Sequence, residues 1–125
     1  MIKTDTEHDH VTDSGPNPAP DALGPRGARL WHEVTERYEL DAHELALLEE
    51  MARTADDLDA LAERVRAQGH TVGGRVNPAL VESRQLRIAF ARLAAALRLP
   101  TGDETDGRPQ RRSGVRGTYT LGRVS

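Results

Sequence analysis

Arginine is the residue type whose distribution in this sequence most directly suggests a chemical role. Ten arginines are candidates for contact with phosphate: Arg75, Arg84, Arg87, Arg92, Arg98, Arg108, Arg111, Arg112, Arg116 and Arg123. The guanidinium group is a planar fork of donors that matches phosphate oxygens. Because the chain has a net charge of −3, this concentration towards its end separates a basic part from an acidic one. The pattern suits contact with phosphate groups, and the alternative for each arginine is an ordinary solvated side chain.

Residue patterns typical of a catalytic centre are missing. The sequence contains no phosphate-binding glycine loop, no zinc-protease motif, no nucleophile elbow and no dinucleotide-binding fingerprint. The acidic pairs Glu49-Glu50 and Asp56-Asp57 are consecutive, so on a helix their members diverge by about 100°. Asp56 and Asp59 share a helical face and are expected to be solvated. We predict a protein that is not an enzyme and has no catalytic residue and no cofactor.

Metal binding and thiol chemistry are not expected either. Cysteine is absent, which excludes disulfides and thiolate ligands. His8 and His10 lie near Asp9 and Asp13, but a tail offers no surrounding groups to orient metal ligands. We therefore predict no metal site and interpret this segment as solvated.

The composition limits the core that one chain can form. The 125 residues are 37% hydrophobic and 3% aromatic, which favours helices packed through leucine and alanine. Such a small core predicts a monomer of only marginal stability, and chains of this kind are commonly stabilised by oligomerisation. No apolar run approaches the roughly 20 residues of a membrane span, and the acidic start is not a signal peptide. We expect a soluble intracellular protein without membrane contact.

Charge and proline divide the chain into three parts. Residues 1–23 are acidic and contain Pro16, Pro18 and Pro20, which predicts a disordered tail. Residues 24–100 carry the apolar periodicity of a helical core and oligomerisation domain. Residues 101–125 combine arginine with glycine and serine, which predicts a flexible basic tail.

The segment from Leu40 to Gln68 is the best-defined helix. Apolar residues recur at three-and-four spacing along it. Asp41 and Glu44 match a capping box, with Leu40 and Leu45 at the positions of a hydrophobic staple. Gly69 is placed to end the helix in a left-handed conformation.

Two further helices and a hairpin complete the predicted fold. A first helix begins at Pro25 and ends near Tyr38–Glu39, one short turn before the long helix. The stretch around Gly73-Gly74 predicts a short β-hairpin or loop. Asn77 and Pro78 open a third helix that stops at Leu99-Pro100.

The predicted class is therefore mostly α, a three-helix core with disordered tails at both ends. The core or oligomer residues are predicted to be Trp31, Leu45, Leu48, Leu58, Leu61, Leu86, Phe90, Leu93 and Leu97. The acidic long helix and the basic third helix are expected to pair antiparallel, with weak help from their charges.

The order of these elements resembles a known family. The pieces GPRGARLW, YELDAHELALLEE and NPAL followed by ESRQ, leading to a Leu-Pro stop, resemble the phage terminase small subunit, in particular the short ring-forming kind of actinobacterial phages. The similarity covers Leu23 to Pro100. None of these pieces is a catalytic signature, so their order and spacing carry it.

The resemblance implies a function that composition does not. Members of this family recognise double-stranded viral DNA for packaging, assemble as homo-oligomeric rings and regulate the large subunit, which holds the ATPase and nuclease. It implies a location in the cytoplasm of a bacterial host. This chain lacks a clear N-terminal DNA-binding domain of the kind that some relatives add, so DNA contact would fall to the arginines of the helices, to the ring surface or to the basic tail.

Two other hypotheses remain open from the sequence. A protein–protein adaptor would use its tails as docking peptides and leave DNA to its partner, which the pI near 5.9 favours. A small helical regulator, such as an antitoxin, would form a dimer and not a ring.

Overall fold

The computed structural model describes residues 17–100 and the two-residue strand Gln110–Arg111. Its helices are α1 (Pro25–Arg37), α2 (Ala42–Gln68) and α3 (Pro78–Leu97). Its strands are β1 (Tyr38–Glu39), β2 (Thr71–Val72), β3 (Arg75–Val76) and β4 (Gln110–Arg111). The predicted class, mostly α with a three-helix core and a short hairpin, is confirmed.

Helix α2 is the element on which the other two helices pack. It has 27 residues and is therefore about 40 Å long at about 1.5 Å per residue. Helix α1, with 13 residues, begins opposite Asp56 and ends beside the start of α2, so it runs antiparallel to the first part of α2. Helix α3 packs along α2 through a larger interface. Beyond Asp59, α2 extends past the beginning of α1.

The predicted start of α2 is confirmed. Asp41 is the N-cap and its side chain accepts a hydrogen bond from the Glu44 N–H at 3.1 Å. The Glu44 carboxylate accepts one in return from the Asp41 N–H at 2.9 Å. Two first-turn N–H groups that lack helical partners are thus satisfied by neighbours in the sequence.

The end of α2 and the hairpin both depend on glycine. Gly69 follows the helix at φ +93° and ψ 174°, a positive φ as predicted but with an extended ψ. Gly73 and Gly74 have φ values of +60° and +78°, as the tight turn of a two-residue hairpin requires. The flanking strands pair antiparallel, Thr71 with Val76 and Val72 with Arg75.

Asn77 joins the end of α2, the hairpin and the start of α3. The residue is 1% exposed, and its side-chain oxygen Oδ1 accepts a hydrogen bond from the Ala79 N–H at 2.9 Å. Its amide nitrogen donates to the Gly69 carbonyl oxygen at 2.8 Å and to Gln68 Oε1 at 3.2 Å. The predicted cap is therefore confirmed, and it also holds the preceding helix end.

The hydrophobic core lies where all three helices meet. Trp31, Leu48, Leu61 and Leu97 are buried, as the sequence predicts. The other predicted core residues are only half-buried: Leu45, Leu58, Leu86, Phe90 and Leu93. Among residues 17–100, three of the ten buried hydrophobic residues are alanines, so the core of this part is small, as the composition suggested.

The packed part of the chain begins before the boundary drawn at residue 24. The Trp31 indole N–H donates to the Asn17 carbonyl oxygen at 2.9 Å. Ala19 and Leu23 are partly buried against the core. Residues 17–23 therefore belong structurally with the helices, because the buried indole takes its hydrogen-bond acceptor from them. The rest of the predicted acidic tail, residues 1–16, lies outside the described residues.

The chain after α3 returns to the α1–α2 turn at one point. β1 and β4 pair antiparallel, Tyr38 with Arg111 and Glu39 with Gln110. The Tyr38 hydroxyl also donates to the Pro100 carbonyl oxygen at 3.3 Å. Apart from β4, the predicted basic tail lies outside the described residues. None of the helices in the described part has the length and hydropathy to cross a membrane.

Candidate nucleic-acid interface

The arginines of α3 form the main basic surface in the described residues. We call Arg84, Arg87, Arg92 and Arg98 the arginine face. All four side chains are exposed. Among residues 17–100, none of them takes part in an ion pair. Their charges are therefore available to an anionic partner.

Helical geometry determines how these arginines are arranged. Arg84 and Arg87 are one turn apart and diverge by about 60°, whereas Arg92 lies about 80° from Arg84 at 100° per residue. Arg98 follows the last turn, fourteen positions after Arg84, which corresponds to about 21 Å along the axis. This length matches about six base-pair steps of B-DNA. Because Arg87 and Arg92 are five positions apart, they diverge by about 140°, so the four arginines form a broad patch around the exposed side of α3.

Arg98 has an unusual backbone conformation. It lies in the left-handed helical region at φ 58° and ψ 47°, which costs a residue with a Cβ roughly 1 kcal/mol. Glycine is the common choice at such a helix end. The turn allows Leu99 to pack against the core and Pro100 to become buried.

Arg75 is separated from the arginine face. It is exposed on the β2–β3 hairpin, at the end of α2–α3 opposite to Arg98. The structure therefore does not bring Arg75 together with the carboxyl-terminal end of the patch.

The arginines of the tail are only partly described. Arg111 lies in β4, beside Tyr38, so its backbone is at the same end of the molecule as Arg98. The other four tail candidates lie outside the described residues: Arg108, Arg112, Arg116 and Arg123.

Asp56 has a role that the sequence did not indicate. Its carboxylate accepts from the Gly24 N–H at 2.6 Å and from the Gly27 N–H at 2.7 Å. It therefore caps α1 from another helix, because the N-cap residue of α1 is Gly24, which has no side chain. The expectation that Asp56 is part of a solvated face was wrong, because its carboxylate is held by these two partly buried hydrogen bonds. The sequence did not indicate them because the partners are 29 and 32 positions away.

The glycines of the GPRG sequence permit this contact. A Cβ on Gly24 would lie 2.9 Å from Asp56 Oδ1. A Cβ on Gly27 would lie 2.5 Å from the Ala52 carbonyl oxygen and would overlap the Asp56 carboxylate. The first turn of α1 can therefore approach α2 closely only with glycine at these positions.

Carboxylates of α2 pair with arginines of α1 and of α2 itself. Asp59 contacts Arg26 of α1 at 2.9 Å. Within α2, Glu49 pairs with Arg53 and Glu63 with Arg66, both at 2.6 Å. The expected electrostatic pairing of α2 with α3 is not seen among the described residues. Helices α2 and α3 instead pack through apolar side chains, and no carboxylate among residues 17–100 forms an ion pair with the arginine face.

An aliphatic side chain interrupts the arginine face. Ile88 is four positions after Arg84 and four before Arg92, so the three lie in one row on the helix. The Ile88 side chain is 51% exposed. An exposed isoleucine is more typical of protein contact than of phosphate contact.

Other uncovered apolar residues lie where the hairpin meets α3. Val72, Val76 and Val81 are 43%, 57% and 44% exposed, and we call them the hairpin-end patch. A groove of about 370 Å³ lies nearby, between α2 and the start of α3. Its lining combines apolar residues, including Leu61, Ala79 and Leu86, with the charged residues Asp57, Arg64 and Glu82. These surfaces lie where α2 extends beyond α1, so α1 does not cover them.

One group of possible metal ligands occurs among the described residues. Ligand atoms of Asp41, His43 and Glu44 lie within 4.8 Å of one another. The two carboxylates already form the capping box, and His43 Nδ1 lies 2.9 Å from Asp41 Oδ1. These contacts account for the grouping without a metal. The His8 and His10 pair lies outside the described residues.

Comparison with protein-family models, curated proteins and solved structures gives no match to this chain.

Proposed function

We propose that this protein is the small subunit of a phage terminase, a non-catalytic component of a viral DNA-packaging motor. In this proposal it forms a homo-oligomeric ring, binds double-stranded DNA and recruits the large subunit. The observation that carries it is the arginine face, an exposed basic patch with no ion-pair partner among residues 17–100, in a chain of net charge −3. The resemblance of residues 23–100 to that family supplies the specific identity.

The physical basis of DNA binding would be contact between guanidinium groups and phosphates. Such contacts release counterions, so affinity falls steeply as salt rises. Four exposed arginines without an ion-pair partner among residues 17–100 lose no pair with that part of the chain when they meet DNA. Because base edges are not required for this contact, binding would be largely independent of sequence.

The proposed ring is supported by surfaces that one chain leaves uncovered. The hairpin-end patch exposes three valines, and the groove beside Leu61 and Leu86 is open. If the patch of one copy fills the groove of the next, the contact is heterologous and closes into a ring when the rotation permits. Burying these groups would also supplement a small core.

DNA binding is tested by removing two charges from the arginine face. We expect the double variant Arg84→Gln/Arg92→Gln to bind a labelled duplex at least about tenfold more weakly at low salt, with a shallower salt dependence. Fluorescence anisotropy over a series of salt concentrations measures both quantities. Arg98→Gly should also weaken binding, although it suits the local backbone conformation.

Matched controls separate this effect from a general loss of charge. Arg29→Gln/Arg37→Gln changes the net charge equally at exposed arginines of α1, and we expect it to bind within about twofold of the unmodified chain. If the unmodified chain does not bind DNA at low salt as an assembled oligomer, the DNA proposal is incorrect.

Ile88 favours a second candidate function, a protein–protein adaptor without direct DNA binding. Its exposed side chain lies between Arg84 and Arg92, where a protein partner could cover all three. The variant Ile88→Gln discriminates the two functions. It should leave DNA binding within about twofold if the arginines contact phosphate, whereas an adaptor would lose its partner protein.

A further inference from the structure

The chain before α1 is fixed to the core at a defined point. The Asn17 carbonyl oxygen accepts a hydrogen bond from the buried Trp31 indole, and Ala19 and Leu23 pack against the same core. That core includes Leu97, which immediately precedes Arg98. Residues 1–16 are therefore tethered to the part of the molecule that carries one end of the arginine face.

Residues 1–16 and the arginine face have complementary charges. The segment contains Asp5, Glu7, Asp9 and Asp13 against the single Lys3. Several carboxylates of the helical part are already engaged, Asp56 by backbone N–H groups and others by arginines of α1 and α2. The arginine face, in contrast, has no acidic partner among residues 17–100.

The tether is long enough to reach the whole face. Sixteen residues span up to about 53–58 Å when extended, at about 3.3–3.6 Å per residue. Helix α3 has 20 residues, which correspond to about 30 Å. Since one end of this helix is beside the anchored core, residues 1–16 can place their carboxylates along the full row of arginines.

We propose that residues 1–16 act as an intramolecular competitor of nucleic acid on the arginine face. This inference rests on the proposed function, because that face is taken as the DNA-binding surface. Tethering gives the acidic segment a high effective concentration. Each exposed ion pair is weak and is screened by salt. The segment therefore lowers DNA affinity by a modest factor and yields to an extended polyanion.

Contact between the segment and the face can be measured without DNA. The chain has no cysteine, so Thr6→Cys provides a single attachment site for a nitroxide label in the full-length protein. We expect the label to broaden the backbone amide NMR signals of residues 84–98 more than those of the β2–β3 hairpin. Replacing the four acids (Asp5→Asn, Glu7→Gln, Asp9→Asn, Asp13→Asn) should abolish that broadening. If the labelled protein with its acids intact shows no such broadening of residues 84–98, the inference is overturned, whatever the DNA-binding measurement gives.

Competition is measured on the same full-length protein with a labelled duplex. We expect the variant with four neutralised acids to bind about threefold more tightly or better at about 50 mM salt, with the difference vanishing at about 300 mM. The matched control neutralises four exposed acids of the helical part: Glu33→Gln, Glu36→Gln, Glu39→Gln and Glu50→Gln.

The outcomes separate the two proposals. If the control variant gained as much DNA affinity as the variant neutralised at residues 5–13, the gain would reflect net charge alone. That result would overturn competition by residues 1–16. Equal affinities of the unmodified chain and the variant with four neutralised acids would also overturn it. If no form binds DNA at low salt, the proposed function fails, and the NMR measurement still decides whether the acidic segment contacts the arginine face.

Discussion

Individual residues show how the first turn of α1 is stabilised from a distance. Gly24 gives α1 no side-chain cap of its own, and the Asp56 carboxylate satisfies two N–H groups instead. A carboxylate at a helix N-terminus also interacts favourably with the helix dipole. Asp56 therefore belongs to the framework that supports α1 and Trp31, and not to the interface.

Replacing Asp56 tests this role. We expect Asp56→Ala to lower the free energy of unfolding by about 1–3 kcal/mol, because two partly buried N–H groups lose their acceptor. Urea denaturation followed by circular dichroism measures the change. Asp57→Ala is the control, since Asp57 is exposed on the same helix, and it should stay within about 0.5 kcal/mol. Equal losses in both variants would contradict the capping role.

Sequence reasoning succeeds at this scale where the partners are close in the chain. The Asp41 and Glu44 capping box was predictable because its two residues are three positions apart and the pattern is local. The Asp56 cap was not, because it depends on the way two helices pack. The GPRG sequence carried a signal, since two glycines near a helix start suggest close approach.

At the scale of elements, Asn77 links α2, the hairpin and α3. Its side chain donates to Gly69 and Gln68 at the end of α2 and accepts from Ala79 in α3. Its backbone N–H donates to the His70 carbonyl oxygen at 2.8 Å. One buried residue thus sets how the two long helices join.

The variant Asn77→Ala removes the cap and leaves the Gly69 carbonyl without this donor. We expect it to destabilise the protein by about 2–3 kcal/mol, the combined effect of a lost cap and a buried unsatisfied group. Asn77→Asp keeps an acceptor for the Ala79 N–H but loses the donors, so it should still be destabilised. Urea denaturation measures both variants, with exposed Gln85→Ala in α3 as the control. If Asn77→Asp had the same free energy of unfolding as the unmodified protein, the hydrogen bonds to α2 would not contribute to stability.

The elements themselves were well predicted, since each carries local start and stop signals such as Pro25, Gly69 and Pro78. The sequence named Arg84, Arg87, Arg92 and Arg98 only as candidates, and their exposure on α3 is seen in the structure. What could not be predicted was that Asp59 of α2 pairs with Arg26 of α1, 33 positions away. That depends on side-chain reach in three dimensions.

At the scale of the whole molecule, the proposed ring determines which surfaces remain free. The hairpin-end patch lies at one end of α2–α3, and Arg98 lies at the other. Val81 of the patch is three positions before Arg84, so subunit contact and DNA contact would adjoin at the start of α3 and separate towards Arg98.

Changing the hairpin-end patch tests the proposed assembly. We expect Val76→Asp/Val81→Asp to convert the oligomer to monomers, because two exposed valines become charged at the contact. Native mass spectrometry and light scattering measure the mass, and circular dichroism confirms that the helices persist. Ile88→Asp is the matched control and should leave the oligomer intact. A monomeric unmodified chain at about 10 µM would contradict the ring.

The cap supplied by Asp56 also determines how the molecule folds. Helix α1 has 13 residues, near the length below which isolated helices are marginal in water. In the folded chain its first turn is completed by the Asp56 carboxylate of α2. Helix α1 should therefore not remain folded once α2 has unfolded. The change in Trp31 fluorescence, which reports α1, should coincide with or precede the loss of helical circular dichroism, and it should not follow it.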